Sequence, residues 1–391
     1  MKNNVIKMEK SSSNVKCISQ TDKKVPEEIT ETDEKFFLSV ISTELNSTQK
    51  SQILTPPCTY PRQDILLGVH WHPEFVPMNL IKQRIDEMFP NKKDELIIPT
   101  QHNAFTSYGD YTGVEVDCYS SGFNQKVQLL LHFENRRIEK ASVLKEMLAH
   151  TFKYRSSQLF EFMDTIIKPI EERINFAAEE TGANEHVIDF VKVNVKKIKE
   201  LLDKHESIIP KESIKNKLLR NFFDCLRTEY GDSFIDRVQI YLKAVKATVK
   251  ANFSLNYFYR TSEIIEEARS LKAGVVIPHP EQFWPVMMAE YDVDGYEVWN
   301  PQSFRYTEFL ISVLNRKNKS GATKKPLLVF MGDDTHMGEK TRPPEKQDPE
   351  KGSREIGFQP AWDDLNIQKT LIMGNFNRKK VIEEYRSRLA E

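Results

Sequence analysis

The stretch Leu66-Leu67-Gly68-Val69-His70-Trp71-His72 decides the fold, because it reads as a short buried strand that ends in two histidines. Alternate side chains of a β-strand point to the same face, so His70 and His72 should face one side and Trp71 the other. Two imidazoles at the end of an apolar strand are well placed to bind a metal ion. Taken alone, the pair fits two ordinary hydrogen-bonded histidines equally well, so the rest of the chain must decide.

Other apolar stretches that we predict as strands also end in, or contain, a histidine or a carboxylate. These side chains are His102 after Leu96–Pro99, Glu115 within Tyr111–Val116, His132 within Val127–Phe133, His279 after Gly274–Pro278, and Asp334 and His336 after Leu327–Gly332. Strands that alternate with helical patterns predict a parallel sheet or barrel, in which the working residues lie at the carboxyl ends of the strands. Five of the nine histidines, His70, His72, His102, His279 and His336, and two carboxylates occupy comparable positions near strand ends. Core packing alone does not explain that placement, so we favour a metal site over structural histidines.

The types of side chain at these positions limit the chemistry. Imidazole and carboxylate ligands without a thiolate suit Zn²⁺, Mn²⁺ or Fe²⁺, and the sequence leaves these ions as alternatives. One carboxylate among several histidines can bridge two ions, because each of its oxygens binds one. Such a site lowers the pKa of water from about 15.7 toward about 7, and two ions hold the attacking and leaving oxygens of an in-line displacement. Hydrolysis of a phosphate ester is the reaction that most needs both effects.

Composition limits the class of partner. The 391-residue chain has 56 Lys and Arg against 57 Asp and Glu, so net charge gives no argument for a nucleic-acid or membrane partner, although a local basic patch stays open. The four cysteines form no Cys-x-x-Cys pair, which argues against a disulfide scaffold and for a reducing compartment. No apolar run is long enough to span a bilayer, and residues 1–24 lack the apolar core of a secretory signal. We therefore expect a cytoplasmic protein, whose oligomeric state the sequence leaves open.

Four segments of the chain differ in pattern. Residues 1–34 are polar without apolar periodicity and predict a disordered tail, whereas 36–41 could form a strand or a short helix. Residues 35–135 and 261–391 alternate strand and helix patterns and predict the two parts of one α/β domain, which ends in a C-terminal helix. Residues 136–260 carry long helical patterns and predict a helical insertion or cap.

Taken in order, the motifs resemble those of the polymerase and histidinol phosphatase (PHP) superfamily. The matching positions are His70/His72, Thr100-Gln101-His102-Asn103, Gly113-Val114-Glu115, His279-Pro280, Gly295-Tyr296-Glu297-Val298 and Gly332-Asp333-Asp334-Thr335-His336. The resemblance covers residues 65–134 and 261–337. It implies a distorted (β/α)7 barrel of the PHP type, two or three divalent metal ions and phosphoesterase activity.

The resemblance also implies which residues hold the ions. One ion would be held by His70, His72, Glu115 and Asp334, a second by Glu115 and His279, and a third by His102 and His336. Glu115, Asp334 and His279 are then the expected catalytic residues. Glu297 is expected to orient its neighbours rather than to bind metal.

The chain departs from the family pattern at three places. Gln101 stands where the family usually has an aspartate. A further metal histidine of the family has no direct counterpart here, and His132 is the nearest imidazole, so we carry it as an eighth ligand with a core or surface histidine as the alternative. No histidine follows His72 at close range, and Glu74 is the nearest substitute.

Three functions follow as hypotheses. The first is a metal-dependent phosphoesterase in which metal-activated hydroxide attacks a small phosphomonoester or a nucleotide, with a nuclease as its close variant. The second is a binding or regulatory scaffold with a degenerate metal site. The third, hydrolysis of a C–N bond, is disfavoured because we find no lysine at a strand end to bridge two ions. Candidate phosphate ligands, with ordinary surface cations as the alternative, are Arg260, Arg305, Lys340 and Arg342.

Overall fold

The computed structural model of the chain describes residues 25–321 and 325–391. Its strands are β1 (Ile65–Gly68), β2 (Trp71–His72), β3 (Asp94–Ile97), β4 (Thr106–Tyr108), β5 (Tyr111–Ser120), β6 (Gln125–Glu134), β7 (Gly274–Ile277), β8 (Gly295–Trp299), β9 (Leu328–Met331) and β10 (Thr335–His336). Its α-helices are α1 (Glu31–Ile41), α2 (Ser47–Leu54), α3 (Met78–Met88), α4 (Ser142–Phe152), α5 (Tyr154–Ile167), α6 (Glu171–Thr181), α7 (Glu185–Lys204), α8 (Lys217–Cys225), α9 (Arg227–Tyr230), α10 (Asp232–Asn252), α11 (Thr261–Ser270), α12 (Thr307–Ser320), α13 (Pro349–Gly352), α14 (Leu365–Met373) and α15 (Arg378–Ala390). The predicted mixed α/β class is confirmed.

Two compact units make up the chain. One is helical and contains the described residues up to Ile41 together with Leu159–Ile209 and Asn216–Ala251. The other contains Ser42–Gln158, Pro210–Lys215 and Asn252–Glu391, and it carries all the described strands. The predicted role of residues 136–260 as an insertion or cap stays a prediction. Within residues 25–321 and 325–391, every helix is too short or too polar to cross a bilayer.

The predicted disordered tail lies largely in residues 1–24, outside the described part of the chain. Residues 31–34, which the prediction included in the tail, instead form the first turn of α1. The Asp33 carboxylate accepts hydrogen bonds from the backbone and hydroxyl of Thr30, at 2.9 and 2.8 Å, and from Lys197 Nζ at 2.9 Å. These contacts begin the helix, which continues through residues 36–41 and removes the strand alternative.

The strands of the second unit pair in three sheets. β1 pairs with β3 and β2 pairs with β10, both in parallel, and a six-stranded sheet has the order β4-β5-β6-β7-β8-β9. Among the described residues no sheet closes on itself, so a closed seven-stranded barrel is not shown. The carboxyl ends of several of these strands still lead into the predicted site residues.

The prediction of a parallel sheet is wrong for three of the five strand pairs in the large sheet. Pairs β4–β5, β5–β6 and β6–β7 are antiparallel, and only β7–β8 and β8–β9 are parallel. For the β5–β6 pair the reason is local, because these strands are joined by residues 121–124 instead of a helix. So short a connection forces antiparallel pairing, and Asn124 supports it with a φ of 49°.

Gly113 brings β5 close to the segment that follows β3. A Cβ atom at Gly113 would lie 2.2 Å from the carbonyl oxygen of Pro99, so a side chain there would separate the two segments. The close approach is continued by a bridge between His102 and Glu115. The missing side chain of Gly113 therefore places a predicted ligand histidine beside a predicted ligand carboxylate.

His132 lies outside the three groups of possible metal ligands among the described residues, as the core-histidine alternative predicts. Its imidazole is fully buried, and Nε2 lies 2.9 Å from the carbonyl oxygen of Val69 while Nδ1 lies 2.6 Å from Tyr385 Oη. Because a carbonyl only accepts, Nε2 donates to Val69 and Nδ1 accepts from the Tyr385 hydroxyl. Burial lowers the pKa of His132 to about 3, so the ring is neutral. It joins β6 to the histidine segment and to α15.

We predict that Tyr385→Phe lowers the free energy of unfolding by about 1–3 kcal/mol, because it leaves Nδ1 of His132 buried without a donor. Urea unfolding of the two proteins measures the difference. Tyr108→Phe is the control, since the buried Tyr108 hydroxyl has no hydrogen-bond partner in the described part of the chain. Equal losses in the two variants would contradict the assigned role of the Tyr385 hydroxyl.

Candidate metal centre

The parallel pairing of β2 with β10 forms one side of the site. His72 is the register partner of His336, and the backbone N–H of Asp334 donates to the carbonyl oxygen of His70 at 2.9 Å. The rings of His72 and His336 stack with centroids 4.3 Å apart, and those of His70 and His72 are 5.4 Å apart. Two stretches that are more than 260 residues apart in sequence thus present four predicted ligands together.

The other side of the site is formed by Glu115 on β5 and the segment around His102. The Glu115 N–H donates to the Gln101 carbonyl at 3.1 Å, and the Asn103 N–H donates to the Glu115 carbonyl at 2.7 Å. These bonds place His102 Nδ1 2.5 Å from Glu115 Oε2. The Gln101 side chain accepts from the Glu74 N–H at 3.2 Å, so it orients the backbone here and takes no ligand position.

Seven of the eight predicted ligands converge, and His132 is the exception. Their ligand atoms form three groups, in each of which all atoms lie within 4.8 Å of one another: His72, His102 and His336; His70, His72 and Asp334; and His70, Glu115 and His279. His70 and His72 each belong to two groups, so the groups form one connected cluster. The ligand sets implied by the PHP resemblance contain the same seven residues in a different division.

The spacing of these atoms suits ligands that share an ion. His72 Nε2 lies 3.4 Å from Asp334 Oδ1 and 3.6 Å from Glu115 Oε2, and His279 Nε2 lies 3.7 Å from Glu115 Oε1. Two ligands bound tetrahedrally at about 2.1 Å are about 3.4 Å apart. The distances are thus too long for strong hydrogen bonds and appropriate for two ligands of one cation.

Several polar atoms of the cluster are buried and lack hydrogen-bond partners among the described residues. The atoms concerned are His70 Nε2, both ring nitrogens of His72, Nδ1 of His279 and Nδ1 of His336. An unpaired buried polar atom costs about 1–3 kcal/mol, so a group of five calls for an explanation. Divalent cations would satisfy these nitrogen atoms, and the residues present therefore fit divalent ions.

Backbone strain is concentrated at the same place. Glu74, Asn103, His279 and Asp334 have φ values of 52°, 52°, 28° and 45°, in the left-handed region that side chains rarely adopt. Each such residue costs of the order of 1–3 kcal/mol and persists where its surroundings require it. At Asn103 the requirement is visible, because its amide exchanges hydrogen bonds of 2.7 and 2.9 Å with Asp117.

The carboxylates and imidazoles shift one another's pKa values. Burial opposes the charged form of Glu115 and Asp334, but the surrounding histidines hold the pKa of both carboxyls well below the ordinary value. Burial also opposes charge on His70, yet Glu297, Asp334 and Glu115 together raise its pKa to about 10. The carboxylates are therefore ionised and part of the histidine cluster is protonated when no metal is bound.

The pKa values of the other four histidines in the cluster shift in two directions. Burial lowers the pKa of His72 to about 3, and the charges of His102 and His336 act in the same direction. Burial also lowers the pKa of His102, to which the positive charge of Arg155 contributes. The pKa values of His279 and His336 are raised despite burial, by Glu115 and Glu297 for the first and by Asp334 and Glu74 for the second.

Arg354 contacts the predicted ligand Asp334, and the sequence prediction missed it. Its Nη1 donates to Asp334 Oδ2 at 2.6 Å and to the Asp334 carbonyl at 3.1 Å, which leaves Oδ1 facing the histidines. The segment that carries Arg354 is held by Glu355, which pairs with Arg84 and, at 2.7 Å, with Lys340. Lys340 is thereby committed to the fold and is not the phosphate ligand considered from the sequence.

Comparison with known protein families and with curated proteins found no match. Among solved structures, the chain is similar to a "putative metal-dependent phosphoesterase" from Bifidobacterium adolescentis, with 16% sequence identity and a TM-score of 0.43. The similarity covers 80% of this chain and 97% of the other.

We predict that metal affinity rises with pH between about 6.5 and about 10. His70, whose pKa is raised from 6.5 to about 10, holds a proton in that range in the metal-free protein, and an ion must displace it. Metal titrations at several pH values, with proton release followed in weak buffer, measure the effect. An affinity that does not change with pH would contradict the prediction.

Proposed function

We propose that the protein is a metal-dependent phosphoesterase that hydrolyses a small phosphomonoester or a nucleotide, with two or three divalent ions at the cluster. The observation that carries the proposal is the convergence of seven imidazole and carboxylate side chains in three overlapping groups, with buried ligand atoms left unpaired. Overlapping groups suit neighbouring ions better than a single structural ion. Neighbouring ions are of most use in an in-line displacement at phosphorus.

The residues have distinct roles in this proposal. Bound ions supply a lowered pKa of water and neutralise the charge of the phosphate oxygens. Glu115 presents Oε1 to His70 and His279, at 3.8 and 3.7 Å, and Oε2 to His72 and His102, at 3.6 and 2.5 Å. Its two oxygens therefore face different pairs of histidines, so Glu115 would be able to help hold more than one ion. Asp334 directs Oδ1 toward His72 and His336 while Arg354 holds Oδ2.

The substrate should approach from the partly exposed side of the cluster. His102, Asp334 and His336 are 21%, 19% and 17% exposed, whereas His70 and Glu115 are only 1% exposed. On the open side, Lys215 Nζ lies 3.8 Å from Glu74 Oε1, which is 3.5 Å from His336 Nδ1. A cation at this edge suits an anionic substrate such as a phosphate ester.

We predict that His72→Ala or Asp334→Ala abolishes metal-dependent turnover, because each removes a ligand atom from the centre of the cluster. Elemental analysis of purified protein comes first, followed by assays of phosphomonoester, phosphodiester and amide substrates with Mn²⁺ or Zn²⁺. His186→Ala is the control, since His186 is an exposed histidine of the helical unit.

Two results would refute the proposal. Less than one bound ion per chain would favour the scaffold hypothesis over an enzyme. Unchanged turnover in both His72→Ala and Asp334→Ala would show that the cluster is not the active site. Preference for phosphodiesters over phosphomonoesters would identify the nuclease variant.

We predict that Lys215→Ala raises the KM for a phosphorylated substrate about tenfold or more and changes bound metal little, because a hydrogen bond to a charged group is worth about 1.5–3 kcal/mol. Steady-state kinetics and metal content are the two measurements. Lys211→Ala is the matched control, because Lys211 is exposed and belongs to the same segment, Pro210–Lys215. An equal rise in KM for both variants would contradict a specific role for Lys215.

A further inference from the structure

Glu297, on β8, contacts two of the ligand residues without belonging to any of the three groups of possible ligands among the described residues. Its side chain is 1% exposed. Oε1 lies 2.8 Å from His70 Nδ1, and Oε2 accepts the backbone N–H of His279 at 2.8 Å. One buried carboxylate thus holds the imidazole of one predicted ligand and the backbone of another.

The place of this carboxylate depends on Gly332, at the end of β9. A Cβ atom at Gly332 would lie 1.4 Å from Glu297 Oε1 and 2.0 Å from its Cδ, so no side chain fits there. The Gly332 N–H is also fixed, because it donates to the Trp299 carbonyl at 2.7 Å. The need for glycine here is one of space rather than of backbone conformation, and the space is filled by the Glu297 carboxylate.

We propose that Glu297 is a positioning residue of the metal centre, which fixes the tautomer of His70 and the backbone of His279; this inference rests on the proposed metal-dependent function. A carboxylate accepts hydrogen bonds and donates none, so His70 Nδ1 must carry the hydrogen of this pair. In the neutral ring, Nε2 then carries the lone pair. Nε2 is the atom that faces Glu115 Oε1 and Asp334 Oδ1, at 3.8 and 3.7 Å.

The second contact acts on His279 through its backbone. His279 has a φ of 28°, a conformation that costs free energy unless something holds it. The hydrogen bond from its N–H to Glu297 Oε2 supplies that hold, and the imidazole is left with Nε2 3.7 Å from Glu115 Oε1. Glu297 therefore orients both histidines of the group that contains His70, Glu115 and His279.

If Glu297 had a purely structural role, its replacement would lower stability rather than metal affinity. The Glu297→Gln variant distinguishes this structural role from the positioning role. The amide oxygen can still accept the His279 N–H, so most of the packing and one hydrogen bond remain. The amide NH₂ group, however, donates, and it would select the His70 tautomer with the hydrogen on Nε2. That tautomer has no lone pair for a metal ion at the atom that faces the cluster.

The test measures metal affinity and metal-free stability separately. Zn²⁺ or Mn²⁺ affinity is determined by competition with a chromophoric chelator, and the melting temperature is determined after metal removal. For Glu297→Gln we expect affinity to fall 10–100-fold, as for other partners of metal-bound histidines. We expect its metal-free melting temperature to fall less than that of the control below.

Asp294→Asn is the matched control. Asp294 is also a buried carboxylate close to β8, but it accepts the Val275 N–H at 2.9 Å and pairs with Arg269 and Arg388, away from the ligands. Replacement of the Asp294 carboxylate by an amide should lower the melting temperature and leave metal affinity unchanged. Glu297→Gln should therefore mainly lower metal affinity, whereas Asp294→Asn should lower only the melting temperature.

The Gly332→Ala variant provides a second, independent test of the role of Glu297. The new methyl group must displace the Glu297 carboxylate, so Gly332→Ala should lower metal affinity in the wild-type background and lower it no further in a Glu297→Ala background. Wild-type affinity in Glu297→Gln, or an equal effect of Gly332→Ala in both backgrounds, would overturn this inference alone. A wild-type protein that binds no divalent ion would overturn both the inference and the proposed function.

Discussion

Burial of the Glu115 carboxylate among four imidazoles is the constraint on which the rest of the site depends. A carboxylate at this depth is stable only if positive charge or hydrogen-bond donors replace its water. The histidines around it come from the segment after β1, from β2, from the segment after β3 and from the end of β7. The strand ends, the missing side chain at Gly113 and the strained backbone at His279 all serve to bring those four rings to one carboxylate.

The sequence indicated the composition of the site better than the architecture that builds it. Residue type at a strand end is a local property, so His70, His72, His279 and Asp334 could be singled out directly. The pairing of β2 with β10 joins residues that are far apart in the chain, and no local pattern records it. The predicted parallel sheet failed at the β5–β6 hairpin, because the short link at residues 121–124 allows only antiparallel pairing of these two strands.

Two residues show why other parts of the candidate site could not be predicted from the sequence. His132 has the same surroundings in sequence as a ligand, an apolar strand, yet the carbonyl of Val69 and the hydroxyl of Tyr385 occupy its nitrogens. Arg354 lies in a polar stretch without periodicity, and only its contact with Asp334 gives it a role. In both cases the deciding partner is contributed by a distant part of the chain, and its identity depends on tertiary packing.

The contact between Arg354 and Asp334 has a thermodynamic consequence for the segment that carries it. Glu355 ties this segment to Arg84 and Lys340, so the guanidinium that steadies one carboxylate oxygen depends on the order of the segment around it. Ion binding and segment ordering are then linked equilibria. If ordering of the segment raises the affinity for the ion by some factor, then ion binding raises the equilibrium constant for ordering of the segment by the same factor.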